Sequence, residues 1–210
     1  MRTEVFRDGL QAVEWTVEER ALAGLSDLEG VPWLMPMDEF FEAWVEMLFG
    51  RVSRLLGGHI RSGRKRETLV AMQWEPPSLG SQKFLLPDIT VEFADTMVII
   101  DAKYKRHWEE MQRGPWSAWE EEAREEHRRD LLQVLAYGNL TSATKVVVCL
   151  VYPCRKETWK SLVERGRDIH AATITAGARR IHLWLTAMPM GGDPTELSSR
   201  IAHQLRDLAS

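Results

Sequence analysis

The stretch LLPDITVEFADTMVIIDAKYK, residues 85–105, constrains the fold more than any other part of the chain. Ile89, Val91 and Phe93 alternate with Asp88, Thr90 and Glu92, the period of two of a half-buried strand. After Ala94-Asp95-Thr96 comes the apolar run Met97 to Ala102, long enough for a buried strand and short for a helix. A two-residue loop at Ala94-Asp95 predicts that Phe93 pairs with Thr96 and Val91 with Val98. Asp88 then falls opposite Asp101. Side chains two apart leave a strand on the same face, so Asp101 and Lys103 point the same way. Ala-Asp is not a favoured type I′ pair, so a register one residue away stays open, as does an ordinary hairpin with solvent-facing charges.

If the first register holds, two carboxylates face each other and repel unless something offsets their charge. A divalent cation would do so, and carboxylate oxygens suit Mg²⁺, or Mn²⁺ in its place. Lys103 could then hold a phosphate or help to position an attacking water.

Around this hairpin the pattern is that of an α/β chain. Phe41, Trp44, Val45, Leu48, Val52, Leu55 and Leu56 recur at three- and four-residue steps, predicting an amphipathic helix over residues 38–56. Asp38 and Glu39 suit its first turn, and Gly57-Gly58 ends it. Glu42 sits at the edge of its apolar stripe, either a solvated flank or a carboxylate leaning over the sheet. Residues 67–74 read as a strand stopped by Pro76-Pro77. Residues 106–120 read as a charged insertion carrying Trp108, Trp116 and Trp119. A helix then runs from the EEEAREEHRR segment through Asp130 to Tyr137. Asp130, Gln133 and Tyr137 share one of its faces. Residues 145–152 read as a central strand stopped by Pro153, residues 159–170 as a helix and 180–187 as a strand. A last helix, over 194–208, is entered at Asp193 with Pro194 in its first position. Ahead of all this, residues 17–23 read as a short helix. The sum is one α/β domain with a mixed sheet flanked by helices.

Several classes are excluded. No run approaches a membrane span and the N-terminus lacks a signal-peptide core, so the expected setting is the cytoplasm with no membrane partner. Cys149 and Cys154 lack companions at metal spacing and read as reduced thiols. The six histidines are scattered, and there is no nucleophile-elbow pattern. A net charge of −4 speaks against coating nucleic acid by bulk positive charge, but not against local grip. Arg61, Arg64, Lys65 and Arg66 form the compact basic cluster, a solvated loop or a set of DNA contacts.

Four pieces in order, FFEAWV at 40–45, LLPDI at 85–89, IIDAKYK at 99–105 and RDLLQVLAY at 129–137, resemble the PD-(D/E)XK nuclease superfamily. More closely, they resemble the McrC-like nuclease subunit of modified-cytosine restriction systems. The resemblance implies a restriction-endonuclease-like core of helix, three strands, helix and strand, within a nuclease domain over residues 37–210 behind a short extension, residues 1–36. It implies metal-binding carboxylates at Asp88 and Asp101, with the Ala102 carbonyl completing the shell, and a catalytic lysine at Lys103. Glu42 would match the first-helix glutamate and Gln133 the helix glutamine, supported by Asp130 and Tyr137. The reaction implied is Mg²⁺-dependent hydrolysis of DNA in defence against foreign DNA. McrC-like proteins carry a longer N-terminal part that engages an AAA+ GTPase motor. Residues 1–36 fall short of it, which leaves a stand-alone nuclease or the cutting subunit of another defence assembly as expectations. A catalytically silent scaffold or activator of a motor, a repair or recombination nuclease, and an oligomer are the alternatives.

Overall fold

The computed structural model describes residues 36–77, 80–105, 108–176 and 179–209. Residues 37–210 form one compact unit, described here by itself. The helix expected over residues 17–23 lies outside the described residues.

The first helix, α1 (Met37–Leu56), buries Phe40, Phe41, Trp44, Val45, Leu48, Phe49 and Val52. Each such side chain contributes about 1.5–3 kcal/mol on leaving water, so this face alone fixes the helix to the sheet. The Trp44 indole also donates to the Pro189 carbonyl at 2.9 Å, across 145 residues of sequence. Six strands make the sheet, in the order β1 (His59–Ser62), β4 (Ile89–Phe93), β5 (Thr96–Ala102), β6 (Lys145–Cys154), β8 (Arg179–Pro189) and β7 (Ile169–Ala176). The pairs β1–β4, β4–β5 and β7–β8 are antiparallel, whereas β5–β6 and β6–β8 are parallel. A separate two-stranded ribbon joins β2 (Val70–Ala71) to β3 (Phe84–Leu85). The remaining helices are α2 (Trp108–Met111), α3 (Glu121–Gly138), α4 (Lys156–Glu164) and α5 (Pro194–Ala209).

Every residue of β6 after Lys145 is buried, which requires cover on both faces of the sheet. α1 and α5 pack together, and α3 lies along β5 and β6. The molecule is therefore an α/β fold with a mixed sheet flanked by helices, compatible with a restriction-endonuclease-like core. Among the described residues no helix is long and apolar enough to cross a membrane. Both cysteines are free and buried.

The hairpin pairs as the two-residue loop requires: Phe93 with Thr96, Val91 with Val98 and Ile89 with Ile100. Ala94 pays for the unfavoured turn by adopting φ 49°. Elsewhere the sequence expectations need correction. The strand expected over residues 67–74 shrinks to Val70–Ala71, in the ribbon and not in the main sheet. The third strand of the core is instead β1, within a segment expected to be loop, because HIRS finds backbone partners along β4. Pro153 does not stop β6, which continues to Cys154 beside β8. Its neighbour β5 has ended opposite Val151, so the amide that proline lacks is not needed on that side. The helix expected to reach His170 ends at Glu164. Gly166 then turns the chain at φ +61°, and Ile169 begins a strand.

Candidate active site

At the open end of the β4–β5 hairpin the chain gathers acids. Asp88 immediately precedes β4, and its Oδ2 accepts a hydrogen bond from the Ala102 amide at 2.8 Å. The ladder is thus extended by one side-chain rung. Asp101, one residue from the end of β5, is 1% exposed, and its Oδ2 lies 2.6 Å from the Lys103 ammonium. The ammonium is the partner of this buried carboxylate, which has little other compensation for its charge.

Lys103 points across to α3. Its ammonium donates to Gln133 Oε1 at 2.9 Å and lies 3.9 Å from Asp130. The Gln133 amide donates to the Tyr137 hydroxyl at 2.9 Å, and that hydroxyl donates to the Leu86 carbonyl at 3.4 Å. A polar chain therefore runs from β5 through α3 back to the residues just ahead of Asp88. The i, i+3, i+7 spacing on α3 permits it, since all three side chains emerge on one face. Lys105 Nζ pairs with Asp130 at 2.9 Å. Sequence reasoning assigned Lys105 no part, although its spacing of two from Lys103 was the available signal.

Burial and like charge perturb these groups in a common direction. Asp88 is pushed up to about 7, first by desolvation and then by Asp101. Asp101 is also raised by burial, against the pull of Lys103. Glu42 on α1 is raised by burial, with Arg64 opposing and Asp101 among the acids reinforcing. Burial disfavours the charge on Lys103, but Asp101, Asp130 and Asp88 outweigh it and hold the ammonium above the ordinary lysine range. Desolvation raises Tyr137 as well. Four carboxylates thus share the field of two ammonium groups and the Arg64 guanidinium, and such a cluster of perturbed, partly buried acids marks a functional site more than a structural one.

The basic cluster does not form a single patch. Arg64 reaches the Glu39 carbonyl at 3.5 Å and acts on Glu42, beside the acids. Arg61 lies 3.8 Å from Glu92, Lys65 lies 3.9 Å from Glu46, and Arg66 sits over the Phe84 ring. The turn that carries them is nevertheless fixed to the acids. The Gly63 amide donates to the Asp88 carbonyl at 2.7 Å, and a Cβ at Gly63 would meet the Pro87 oxygen at 2.5 Å. Glycine is required there by proximity alone.

Among the described residues no group of three or more His, Cys, Asp or Glu side chains is placed to hold a metal ion. The donor set, two carboxylates facing each other across the hairpin end, is of the oxygen type that hard divalent cations take. Mg²⁺ keeps most of its waters and takes one or two carboxylates, with substrate phosphate completing its shell.

The model of the family described as McrBC 5-methylcytosine restriction system component matches residues 17–153. No curated protein matches the chain. The match spans more than half of the chain, so the chain belongs to that family and is a component of a modified-cytosine restriction system.

Proposed function

We propose that this family member is the cutting component, a Mg²⁺-dependent DNA endonuclease that hydrolyses phosphodiester bonds. The observation that carries the reading is the meeting of Asp88, Asp101 and Lys103 at one hairpin end, backed by Gln133. Asp88 and Asp101 would hold the ion, with the Ala102 carbonyl as the backbone ligand and Glu42 reaching it through water. When bound, the metal supplies Lewis-acid polarisation of the phosphate and a more acidic water. The protein's own part is positional and electrostatic. Lys103 is fixed by Gln133 and Asp101, so its charge is already in place to orient the nucleophile or offset charge developing on the phosphate. The Gln133–Tyr137–Leu86 chain holds that lysine and the Asp88 segment to one helix, which keeps the reacting groups in register.

The family supports an AAA+ GTPase motor as the partner, with DNA as the substrate. Plasmid cleavage in Mg²⁺, with and without the motor and nucleotide, tests both readings. Asp101→Ala and Lys103→Ala should abolish cutting in whichever condition supports it. Equal nicking by all three proteins would remove this site from the reaction.

A further inference from the structure

Two exposed tryptophans stand in opposite electrical settings. Trp116, 44% exposed, lies beside the acidic start of α3, with Glu120, Glu121 and Glu122 close in sequence. Trp74, 42% exposed, belongs to the segment that forms the β2–β3 ribbon. Residues 61–85 carry five basic residues, Arg61, Arg64, Lys65, Arg66 and Lys83, against the two acids Glu67 and Glu75. The chain as a whole has a net charge of −4, so this segment reverses the sign.

The exposed indole of the ribbon segment is already held in place. The Trp74 indole donates to the Gln82 carbonyl at 2.8 Å, and the Gln82 amide donates to the Phe84 carbonyl at 2.8 Å. The one polar atom of the indole is thereby satisfied inside the ribbon while its apolar surface stays open. Phe84 and Val70 are also exposed, and Arg66 lies 5.3 Å from the Phe84 ring centroid. Fixed aromatic surface costs little entropy when something binds to it.

Position supplies the rest. Phe84 and Asp88 are four positions apart and can be separated by at most about 14 Å. That is less than half of the roughly 34 Å turn of a DNA duplex. Thr68 Oγ1 donates to the Pro87 carbonyl at 2.5 Å and the Gly63 amide to the Asp88 carbonyl, so the segment leading into β2 is tied to the residues just ahead of β4, into which β3 runs directly. Resting on the endonuclease reading, we infer that the β2–β3 ribbon is a second contact with duplex DNA beside the cut bond. Trp74 lies against sugar or base edges, and Lys83 meets a phosphate. A two-stranded ribbon is of a size that a major groove admits.

Fluorescence anisotropy of the full chain on a labelled duplex of about 30 base pairs, in EDTA so that nothing is cut, tests this inference. Trp74→Ala should weaken binding about fivefold or more, while Trp74→Phe should restore most of it. Lys83→Ala should lower the slope of log affinity against log salt by about one phosphate contact, near 0.9. Trp116→Ala should change neither. All four positions are exposed, and matched thermal melts would show that the variants fold. Unchanged affinity and slope in Trp74→Ala and Lys83→Ala, with binding lost in Arg64→Ala, would overturn the ribbon and leave the DNA reading standing. A wild-type chain that binds no duplex, either alone or with the motor and nucleotide, would overturn both.

Discussion

The two halves of the sheet treat a buried acid in opposite ways. On the β7–β8 side Asp168, 4% exposed, receives two parallel bonds from Arg200, through Nε and Nη2, both at 2.6 Å. Its own carbonyl accepts from the Ala187 amide at 2.9 Å, so chain and charge are both accounted for. On the β4–β5 side Asp101 is more buried, yet it shares Lys103 with Asp88 and Asp130, and Asp130 also draws Lys105. One acid has a dedicated planar partner, which is how a fold keeps charge for structure. The other shares its one cation with two further acids. The contrast implies that the second cluster is balanced by something that binds.

The widest gap between the two should be in activity. Asp101→Ala should lower DNA cleavage at least about a hundredfold, as removing a transition-state contact does. Asp168→Ala, assayed where it remains folded, should retain cleavage to within a few fold. Comparable losses in both would erase the distinction.

Stability should run the other way. Asp168→Ala leaves Arg200 unpaired in a partly buried place and should cost about 3 kcal/mol in urea unfolding. Asp101→Asn removes a repulsive charge and should leave stability unchanged or slightly higher. A loss in Asp101→Asn as large as in Asp168→Ala would mean that the acid serves the fold.

A third effect sharpens the contrast with a ligand. Mg²⁺ at ten times its dissociation constant should stabilise the wild type by about 1.4 kcal/mol. For a chain of this size that is a rise of about 3–5 °C in Tm. Asp88→Asn should abolish the rise and Asp168→Asn should keep it. An identical rise in both would place the ion elsewhere.

The smallest effect concerns His127, whose ring lies 5.7 Å from both Trp116 and Trp119 and 3.2 Å, through Nδ1, from the Tyr152 hydroxyl. Burial holds its pKa below the ordinary 6.5, with Asp130 opposing. The unfolded chain then binds the proton more readily, so stability falls as pH drops through about 6.5 and levels off below the folded value. The wild type should lose slightly more Tm than His127→Gln between pH 7.5 and 5.5. Equal losses would show that the ring is solvated.

How much of this was legible beforehand differed by element. The Ile89–Phe93 alternation and the apolar run after Thr96 locate two strands without help, because period two and burial on one face leave little choice. The 3.6 period of residues 38–56 does the same for α1. HIRS carries no such pattern, since a four-residue strand with two polar members is a strand chiefly by virtue of the β4 backbone beside it. The helix expected over 159–170 overlaps Ile169 and His170, the first two residues of β7, because a local reading carries across Gly166 and does not report where the next strand waits.

The sequence by itself determined which residue types could do chemistry and that Asp101 and Lys103 share a strand face, since strand geometry is local. Tertiary structure alone decided that Lys103 meets Gln133, that Lys105 meets Asp130, and that the Asp88 segment is tied through Tyr137 to α3. Those contacts join residues 25 to 51 positions apart, where packing and not pattern sets the distance. The imbalance of charge at the hairpin, compared with the paired Asp168 and Arg200, likewise exists only once the helices have closed over the sheet and excluded water.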